Sequence, residues 1–300
     1  MLSIVIPVYQ AEHSIRKLVK KLLEVFSGKS FEIILVNDCS PDNSHQECLD
    51  AYSENSNTIT YIKLAKNMGE HNAVMAGLNY AKGEWAIIMD DDFQNPPEEA
   101  FKLYNYAEKN TFDIVYGNYK KNKKHNFFRN FISNINDKTA NWVLGKPKNI
   151  YLSSFKCIKK KLIDHIVNYK GPYPYIDGLI LSNTSNIGSL ETEHNQREIG
   201  SSGYTLLKLL KLYGNLFTNF STIPIHFFSI SGIILTLIGF AFGIFIIIEK
   251  IINPEMPAGY SSILSVILFF SGIQLIFLGL IGEYVGKILK NVNKENQFFI

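Results

Sequence analysis

The sequence predicts an α/β protein in which a mostly parallel sheet, covered by helices, precedes two apolar membrane-spanning segments. Short β-branched runs alternate with amphipathic stretches over residues 1–117, which is the pattern of strands linked by helices. Two long apolar runs lie in the last quarter of the chain. With 300 residues, of which 46% are apolar, the chain can form a catalytic domain and an appendage.

The expected strands and helices alternate along the first part of the chain. Strands are expected at 2–7, 32–37, 58–64, 85–89 and 113–116, and helices at 11–26, 44–52, 70–81 and 97–109. In open α/β sheets, ligands bind beyond the carboxyl ends of the strands. Three of these ends carry candidate functional residues, namely Pro-Val-Tyr at 7–9, Asn-Asp-Cys-Ser at 37–40 and three aspartates at 90–92. The chemistry is therefore expected at one edge of the sheet.

Three consecutive aspartates at the end of the fourth predicted strand form the strongest local signal. Adjacent carboxylates repel one another unless a cation lies between them. Mg²⁺ and similar ions take one or two carboxylates together with substrate phosphates. Asp90 and Asp92 are therefore candidates for a metal–diphosphate site, although a solvated turn or a helix cap would use the same residues.

Residues 118–149 combine basic side chains with an apolar face at helical spacing. Such a stretch is typical of an amphipathic helix that lies on an anionic membrane surface. A solvated helix that covers the sheet is the alternative.

The two apolar runs, 227–248 and 263–281, are long enough to cross a bilayer. At 1.5 Å per residue they would extend roughly 33 and 28 Å, against a hydrocarbon core of about 30 Å. A buried helix pair in a soluble protein is the alternative, but a chain of this size could not surround both helices. Lysines flank the hairpin more densely than its connecting loop, which predicts that both termini are cytosolic.

The charge and cysteine content narrow the possible partners and compartments. The net charge of +3 argues against wholesale nucleic-acid binding, so no nucleic-acid partner is expected. The three cysteines lack metal-ligand spacing and cannot all pair, which favours a reduced compartment.

Several motifs, taken in order, resemble those of inverting family 2 glycosyltransferases with the GT-A, Rossmann-like fold. They are IVIPVYQAEHSI, ILVNDCSPDNS, NMGEHNAVMAGLNYAKGEW and IIMDDDFQNPPEE. PYPYIDGLI, REIGSSGYTLLKLLKL and the two spans further resemble the polyprenyl-phosphate glycosyltransferase branch. The resemblance implies three regions: a nucleotide-sugar-binding core at 1–118, an acceptor-side region at 119–225, and a transmembrane hairpin with a cytosolic tail at 226–300.

The same resemblance implies an activity and a location. A sugar would be transferred from a nucleotide-sugar, expected to be a UDP-sugar, to a polyprenyl phosphate, expected to be undecaprenyl phosphate in a bacterium. The enzyme would be a multi-pass protein of the inner membrane with its catalytic domain in the cytosol, and relatives suggest a homo-oligomer. The alternatives are transfer to the hydroxyl of a lipid-linked saccharide, or a catalytically degenerate scaffold that binds a nucleotide-sugar.

Carried over by position, the resemblance assigns roles to residues on the donor side. Residues expected to line the nucleotide pocket are Pro7, Tyr9, Glu12, Asp38, Asn67, Gly69 and Asp90. Asp38 would accept a hydrogen bond from the base, which suits an acceptor-only carboxylate. Asp92, with Asp90, would hold Mg²⁺ or Mn²⁺ on the diphosphate. Asp91 departs from the family, in which the middle position is commonly small, and is expected to point away or to tune the charge.

On the acceptor side, the resemblance assigns phosphate contacts to a later segment. The expected acceptor and phosphate ligands are Lys156, Arg197, Ser202, Tyr204 and Lys208, and Arg197 is also a catalytic candidate. A basic interfacial helix is an alternative role for Lys208.

Ser154 is the departure with the largest consequence. Many relatives carry a carboxylate there that is often assigned as the general base. A phosphate monoester, with a second pKa near 6, is already mostly ionised at pH 7 and needs no base. Asp177 remains a candidate base or orienting group, or else a capping residue before Gly178.

Overall fold

The computed structural model describes most of the first 195 residues and parts of the remainder. The described residues are 1–119, 150–171, 174–195, separate positions between 230 and 253, 259–292 and 297–300. The chain divides into two compact units, one formed by Met1–Gly203 with Lys294–Ile300 and the other by Tyr204–Asn293. The predicted interfacial helix at 118–149 lies almost entirely outside the described residues, and so does much of the first predicted span.

The first unit contains an α/β domain. Its strands are β1 Leu2–Val8, β2 Phe31–Asn37, β3 Ile59–Lys63, β4 Trp85–Ile88, β5 Ile114–Tyr119, β6 Lys156–Lys159 and β7 Ile187–Thr192. Its helices are α1 Ile15–Val25, α2 Ser44–Glu54, α3 Glu70–Tyr80, α4 Pro97–Lys109, α5 Lys160–Ile166 and α6 Ile176–Asn183. The five predicted strands and four predicted helices are confirmed, with α1 beginning four residues later than expected. The last two strands and two helices were not predicted.

The strands form one seven-stranded sheet in the order β3-β2-β1-β4-β6-β5-β7. β6 runs antiparallel to both β4 and β5, and the other neighbours are parallel. The predicted α/β class and mostly parallel sheet are confirmed. The register of β1 pairs Val8 with Asn37 and Val5 with Ile88, so the ends of β1, β2 and β4 meet at one edge.

Both faces of the central strands are buried, which explains why β1, β2 and β4 are almost continuously apolar. Alternate residues of β1, such as Ile4 and Ile6, face a core formed with α1, α2 and α4. Val5 faces the opposite core, which includes α3, α5 and α6. A Cβ at Gly77 would lie 2.4 Å from Val5 Cγ1, so α3 can approach the sheet this closely only with glycine there.

The second unit contains the long helix α7, Tyr260–Val292, which covers the second predicted span. Many of its apolar side chains are exposed, among them Ile263, Leu275 and Leu278. No helix built from the described residues combines the length and the apolar character that crossing a bilayer requires.

The end of the chain packs on the α/β domain. The Gln297 Nε2 amide donates to the carbonyl oxygens of Tyr169 and Gly171 at 2.6 and 2.8 Å. The Ala65 N–H donates to the Phe299 carbonyl oxygen at 2.8 Å. Phe298 packs against the core on the α3 face. These contacts hold the last residues against the loops that follow β3 and α5.

Candidate active site

The loops that follow β1, β2 and β4 contain unusual backbone conformations. Gln10, Cys39 and Phe93 have φ angles of 57°, 53° and 61°, in the left-handed region that non-glycine residues rarely adopt. Such strain is retained where the surrounding structure imposes it, commonly at functional sites. All three residues lie at the sheet edge where the sequence predicts the chemistry.

The predicted nucleotide-pocket residues that follow β1 join two loops. The Glu12 carboxylate accepts a hydrogen bond from the Asn43 N–H at 2.9 Å, and the Glu12 N–H donates to Asp42 Oδ2 at 3.3 Å. Pro7 lies near the end of β1, and the Tyr9 side chain beyond it is exposed. The exposed Tyr9 ring can therefore contact a ligand, while Glu12 holds the β1–α1 loop against the start of α2.

Asp38 fixes the loop that precedes α3. Its two carboxylate oxygens accept hydrogen bonds from the N–H groups of Met68 and Gly69 at 2.7 and 2.8 Å. Burial raises the pKa of Asp38, and these two hydrogen bonds lower it. They bring Asn67 and Gly69 to the end of β2. Each carboxylate oxygen can accept a second hydrogen bond, which leaves room for the predicted contact with a nucleobase. That contact stays a prediction.

The three aspartates after β4 have three different environments. Ser154 Oγ donates to Asp90 Oδ2 at 2.6 Å, and Asp92 Oδ1 accepts from the Gln94 N–H at 3.0 Å. Asp91 Oδ2 accepts from the Tyr9 N–H at 3.0 Å, so the middle aspartate links the triplet to the β1–α1 loop. Asp90 and Asp92 are thus oriented by their own hydrogen bonds at one end of the sheet.

Asp90 is held in a negative environment. Burial and the neighbouring Glu70 raise the pKa of Asp90 to about 6, and Asp92 contributes in the same direction. The Ser154 hydrogen bond and the Lys156 charge lower it. Glu70 lies at the exposed start of α3, and partial desolvation of its carboxylate raises its pKa; Lys156 opposes this effect and Asp177 adds to it. Burial and neighbouring carboxylates therefore make ionisation of Asp90 and Glu70 less favourable than it is in water.

Lys156 and Asp177, predicted as a phosphate ligand and a candidate base, form a buried ion pair. Lys156 Nζ contacts Asp177 Oδ1, and the side chains of both residues are largely inaccessible. The Tyr116 hydroxyl donates to the same Asp177 oxygen at 2.8 Å, and Lys156 Nζ lies 5.2 Å from the centre of the Tyr116 ring. Both charged groups thus have partners within the protein, and Asp177 is more than a loop cap.

The structure adds residues that the sequence did not indicate. The His194 ring lies on the Tyr119 ring, with centroids 4.0 Å apart, and Tyr119 itself lies at the carboxyl end of β5. Asn95 is buried beside both. A histidine shortly before the predicted Arg197 segment was the available signal, but its place depends on the unpredicted strand β7.

His71 lies near the start of the predicted helix 70–81, a position that favours a surface or helix-start role over that of a ligand. It lies in the first turn of α3, and its ring meets the Tyr175 ring edge-on, with centroids 5.1 Å apart. Burial lowers the pKa of His71 to about 4, and Asp177 partly opposes this. The helix-start position is confirmed, and the ring packs against a neighbour.

Four predicted site residues, Arg197, Ser202, Tyr204 and Lys208, lie outside the described residues. Within the described ranges, no group of three or more His, Cys, Asp or Glu side chains is arranged to hold a metal ion. The metal role of Asp90 and Asp92 therefore stays a prediction.

Comparison with known proteins identifies the family. The profile of glycosyl transferase family 2 matches residues 3–167. The undecaprenyl-phosphate 4-deoxy-4-formamido-L-arabinose transferase of Edwardsiella ictaluri (strain 93-146) is 32% identical over 302 residues, which cover 99% of this chain and 92% of the relative. The protein of the same name from Serratia proteamaculans (strain 568) is 33% identical over 304 residues, with the same coverage.

A solved structure shows the same fold. Glucosyl-3-phosphoglycerate synthase from Mycobacterium tuberculosis, in complex with Mn²⁺, uridine diphosphate and phosphoglyceric acid, superposes with a TM-score of 0.54. It covers 73% of this chain and 76% of that chain at 13% identity, so it bears on the fold alone. The chain is a glycosyltransferase with a GT-A domain, and it belongs to glycosyl transferase family 2, in the polyprenyl-phosphate branch.

Proposed function

We propose that this enzyme transfers a sugar from a UDP-sugar to undecaprenyl phosphate, with inversion at the anomeric carbon. The observation that carries the proposal is the hydrogen bond from Ser154 to Asp90, at the position where a base would be needed for a neutral acceptor. Relatives over almost the whole chain are named as undecaprenyl-phosphate sugar transferases, which supports the same acceptor.

The acceptor determines whether a base is required. A saccharide hydroxyl must lose its proton to a base, whereas a phosphate monoester is mostly ionised at neutral pH. Ser154 is a hydrogen-bond donor to Asp90, and Asp177 is occupied by Lys156 and by the Tyr116 hydroxyl. These contacts favour a nucleophile that arrives already charged.

The donor set at the aspartates fits a divalent cation. Asp90 and Asp92 present carboxylate oxygens at the sheet edge, where burial and the negative charge of Glu70 raise the pKa of Asp90. Hard cations such as Mg²⁺ and Mn²⁺ suit two carboxylates combined with a diphosphate. Asp92, with Asp90, would hold the ion, which when bound supplies Lewis-acid stabilisation to the leaving diphosphate. The fold neighbour was solved with Mn²⁺ and uridine diphosphate.

The protein's own residues align the two substrates. The proposed nucleotide pocket comprises Pro7, Tyr9, Glu12, Asp38, Asn67 and Gly69 at the carboxyl edge of the sheet. Asp91 and Ser154 hold that edge together from opposite sides. Arg197, Ser202, Tyr204 and Lys208 would bind the phosphates of donor and acceptor. Displacement by the acceptor oxygen from the face opposite the diphosphate then inverts the anomeric carbon.

We also propose that residues 226–300 anchor the enzyme in the bacterial inner membrane, with the catalytic domain and both termini in the cytosol. The core would occupy 1–118 and the acceptor-side region 119–225. The exposed apolar side chains along α7 support this arrangement, because a bilayer would cover them. A lipid-linked acceptor and a membrane-anchored enzyme would meet at the same surface.

The test is a transfer assay with the purified full chain in lipid nanodiscs. UDP-sugars, including UDP-4-deoxy-4-formamido-L-arabinose, are supplied with undecaprenyl phosphate or with undecaprenol, and Mg²⁺ or Mn²⁺ is either present or chelated. The lipid product is identified by mass spectrometry. We expect product only with the phosphate and the metal ion, and its loss in Asp92→Ala. The exposed Asp164, which pairs with Lys160 on α5, provides the control variant Asp164→Ala.

Transfer to undecaprenol at a comparable rate would show that the acceptor needs no charge, and would contradict the proposal. Binding of UDP without turnover on any donor would favour the scaffold alternative.

A further inference from the structure

The segment that follows β7 carries His194 to the aspartate edge. The Asn195 N–H donates to the Gln94 carbonyl oxygen at 2.9 Å, and Gln94 Nε2 donates to the Asn195 carbonyl oxygen at 3.4 Å. Gln94 in turn orients Asp92 through its own N–H. His194 is therefore held against the same loop that positions the metal candidate Asp92.

The His194 ring has a buried side and an open side. One side of it lies on the Tyr119 ring, with an angle of 33° between the planes, whereas His194 as a whole is exposed. Burial lowers the pKa of His194, and Asp92 and Asp90 raise it, so the ring is within electrostatic reach of both carboxylates. The open edge of the imidazole thus lies at the border of the proposed diphosphate site.

Asn95 determines which ring nitrogen can carry the proton. Asn95 Oδ1 lies 3.4 Å from His194 Nδ1. Asn95 is 1% exposed, and its Nδ2 amide finds no hydrogen-bond partner in the part of the chain that the structure describes. A 180° rotation of the amide exchanges these two atoms and pairs Nδ2 with Nδ1. The rotation leaves Oδ1 instead of Nδ2 without a partner, and a buried carbonyl oxygen is tolerated more readily than a buried N–H, so the rotated amide is favoured and the proton lies on His194 Nε2.

We propose that His194 is a further substrate-contacting residue, whose Nε2–H donates a hydrogen bond to the diphosphate of the nucleotide-sugar. This inference rests on the proposed function, because it requires a diphosphate beside Asp92. A neutral N–H donor suits that position, since it stabilises developing negative charge without needing a charged partner. Tyr119 supports the ring from below, and Asn95 sets the tautomer.

Three substitutions separate the roles of the two nitrogens. His194→Gln places an amide near the Nε2 position, His194→Asn places one near the Nδ1 position, and His194→Phe retains only the stacking on Tyr119. The affinity for UDP is measured by titration calorimetry with Mg²⁺ on the full chain in nanodiscs, without acceptor. The kcat and the KM values for donor and acceptor are then measured with the lipid substrate. Thermal unfolding shows whether each variant is folded.

We expect His194→Gln to bind UDP within about threefold of the parent protein. His194→Asn and His194→Phe should bind about tenfold to a hundredfold more weakly, the loss typical of a hydrogen bond to a charged group. An affinity for UDP equal to that of the parent protein in His194→Phe, or a higher affinity for UDP in His194→Asn than in His194→Gln, would overturn the proposal. So would unchanged UDP binding with a raised KM for undecaprenyl phosphate, because His194 would then serve the acceptor. A parent protein that binds UDP but makes no lipid product would refute the proposed function instead.

Discussion

Asp90→Asn is expected to stabilise the protein at neutral pH while it abolishes transfer. Burial and Glu70 raise the pKa of Asp90 from its ordinary value of 3.8 to about 6. The folded protein therefore binds a proton that the unfolded chain releases between these two values, and the free energy of unfolding falls as pH rises through that window. At about 1.4 kcal/mol for each pH unit, the ionised carboxylate costs about 3 kcal/mol above pH 6.

Asparagine keeps the shape of the side chain and removes the charge, so it should recover much of this free energy. For a unit of this size, about 3 kcal/mol corresponds to roughly 6–12 °C in Tm. The assay is thermal unfolding of the full chain in nanodiscs at a series of pH values. The gain should be present at pH 8 and should vanish below pH 4, where Asp90 is protonated in both states. Added Mg²⁺ should raise the Tm of the parent protein but not that of Asp90→Asn.

A matched control is Asp164→Asn, in which the replaced carboxylate is exposed and pairs with Lys160 at 3.2 Å. It should leave the Tm nearly unchanged at every pH, because surface ion pairs contribute little. If Asp90→Asn has no higher Tm at pH 8, or gains the same amount at pH 4, then burial and the neighbouring carboxylates do not destabilise the ionised form of Asp90.

Three further predictions concern other contacts of the same unit. Lys156→Met should lower the free energy of unfolding, measured in urea, by about 3–5 kcal/mol, because Asp177 is left buried without its cation. The double variant Lys156→Met/Asp177→Leu should recover most of this loss. An equal loss in the single and the double variant would contradict the prediction. Ser154→Ala should raise the pKa of Asp90, because the Ser154 hydroxyl lowers it. The fall of kcat/KM on the acid side of its pH profile should therefore move to higher pH. An active variant whose acid-side fall stays at the same pH would contradict the prediction. Deletion of 297–300 should cost about 2–4 kcal/mol and increase hydrogen exchange in the loop after β3, because three hydrogen bonds and the Phe298 contact are lost; unchanged exchange there would show that the tail has no such role.

Much of the sheet could be predicted because its signals are local. The first, second and fourth strands are short runs of mostly apolar residues, and α1 has a stripe of apolar side chains at Ile15, Leu18 and Leu22. The rule that ligands bind at the carboxyl edge of parallel strands then brought together the ends of β1, β2 and β4. The same rule places Asp38, Asp90 and Asp92 at this edge from the sequence alone.

β6 escaped prediction because its four residues, Lys-Cys-Ile-Lys, place only two apolar side chains between two lysines and so give a weak local signal. Its position depends on pairing with β4 and β5, which are distant along the chain. That antiparallel insertion places Lys156 opposite Ile88 and Tyr116. The same segment brings Ser154 to Asp90.

The sequence alone determined the fold class, the family and the acidic edge, because apolar periodicity and ordered motifs are properties of neighbouring residues. Only the tertiary structure decided which side chains face those acids. It paired Lys156 with Asp177 instead of leaving either free, and it carried His194 to the border of the site. These outcomes depend on strand order and on hydrogen bonds between distant segments, which no local pattern encodes.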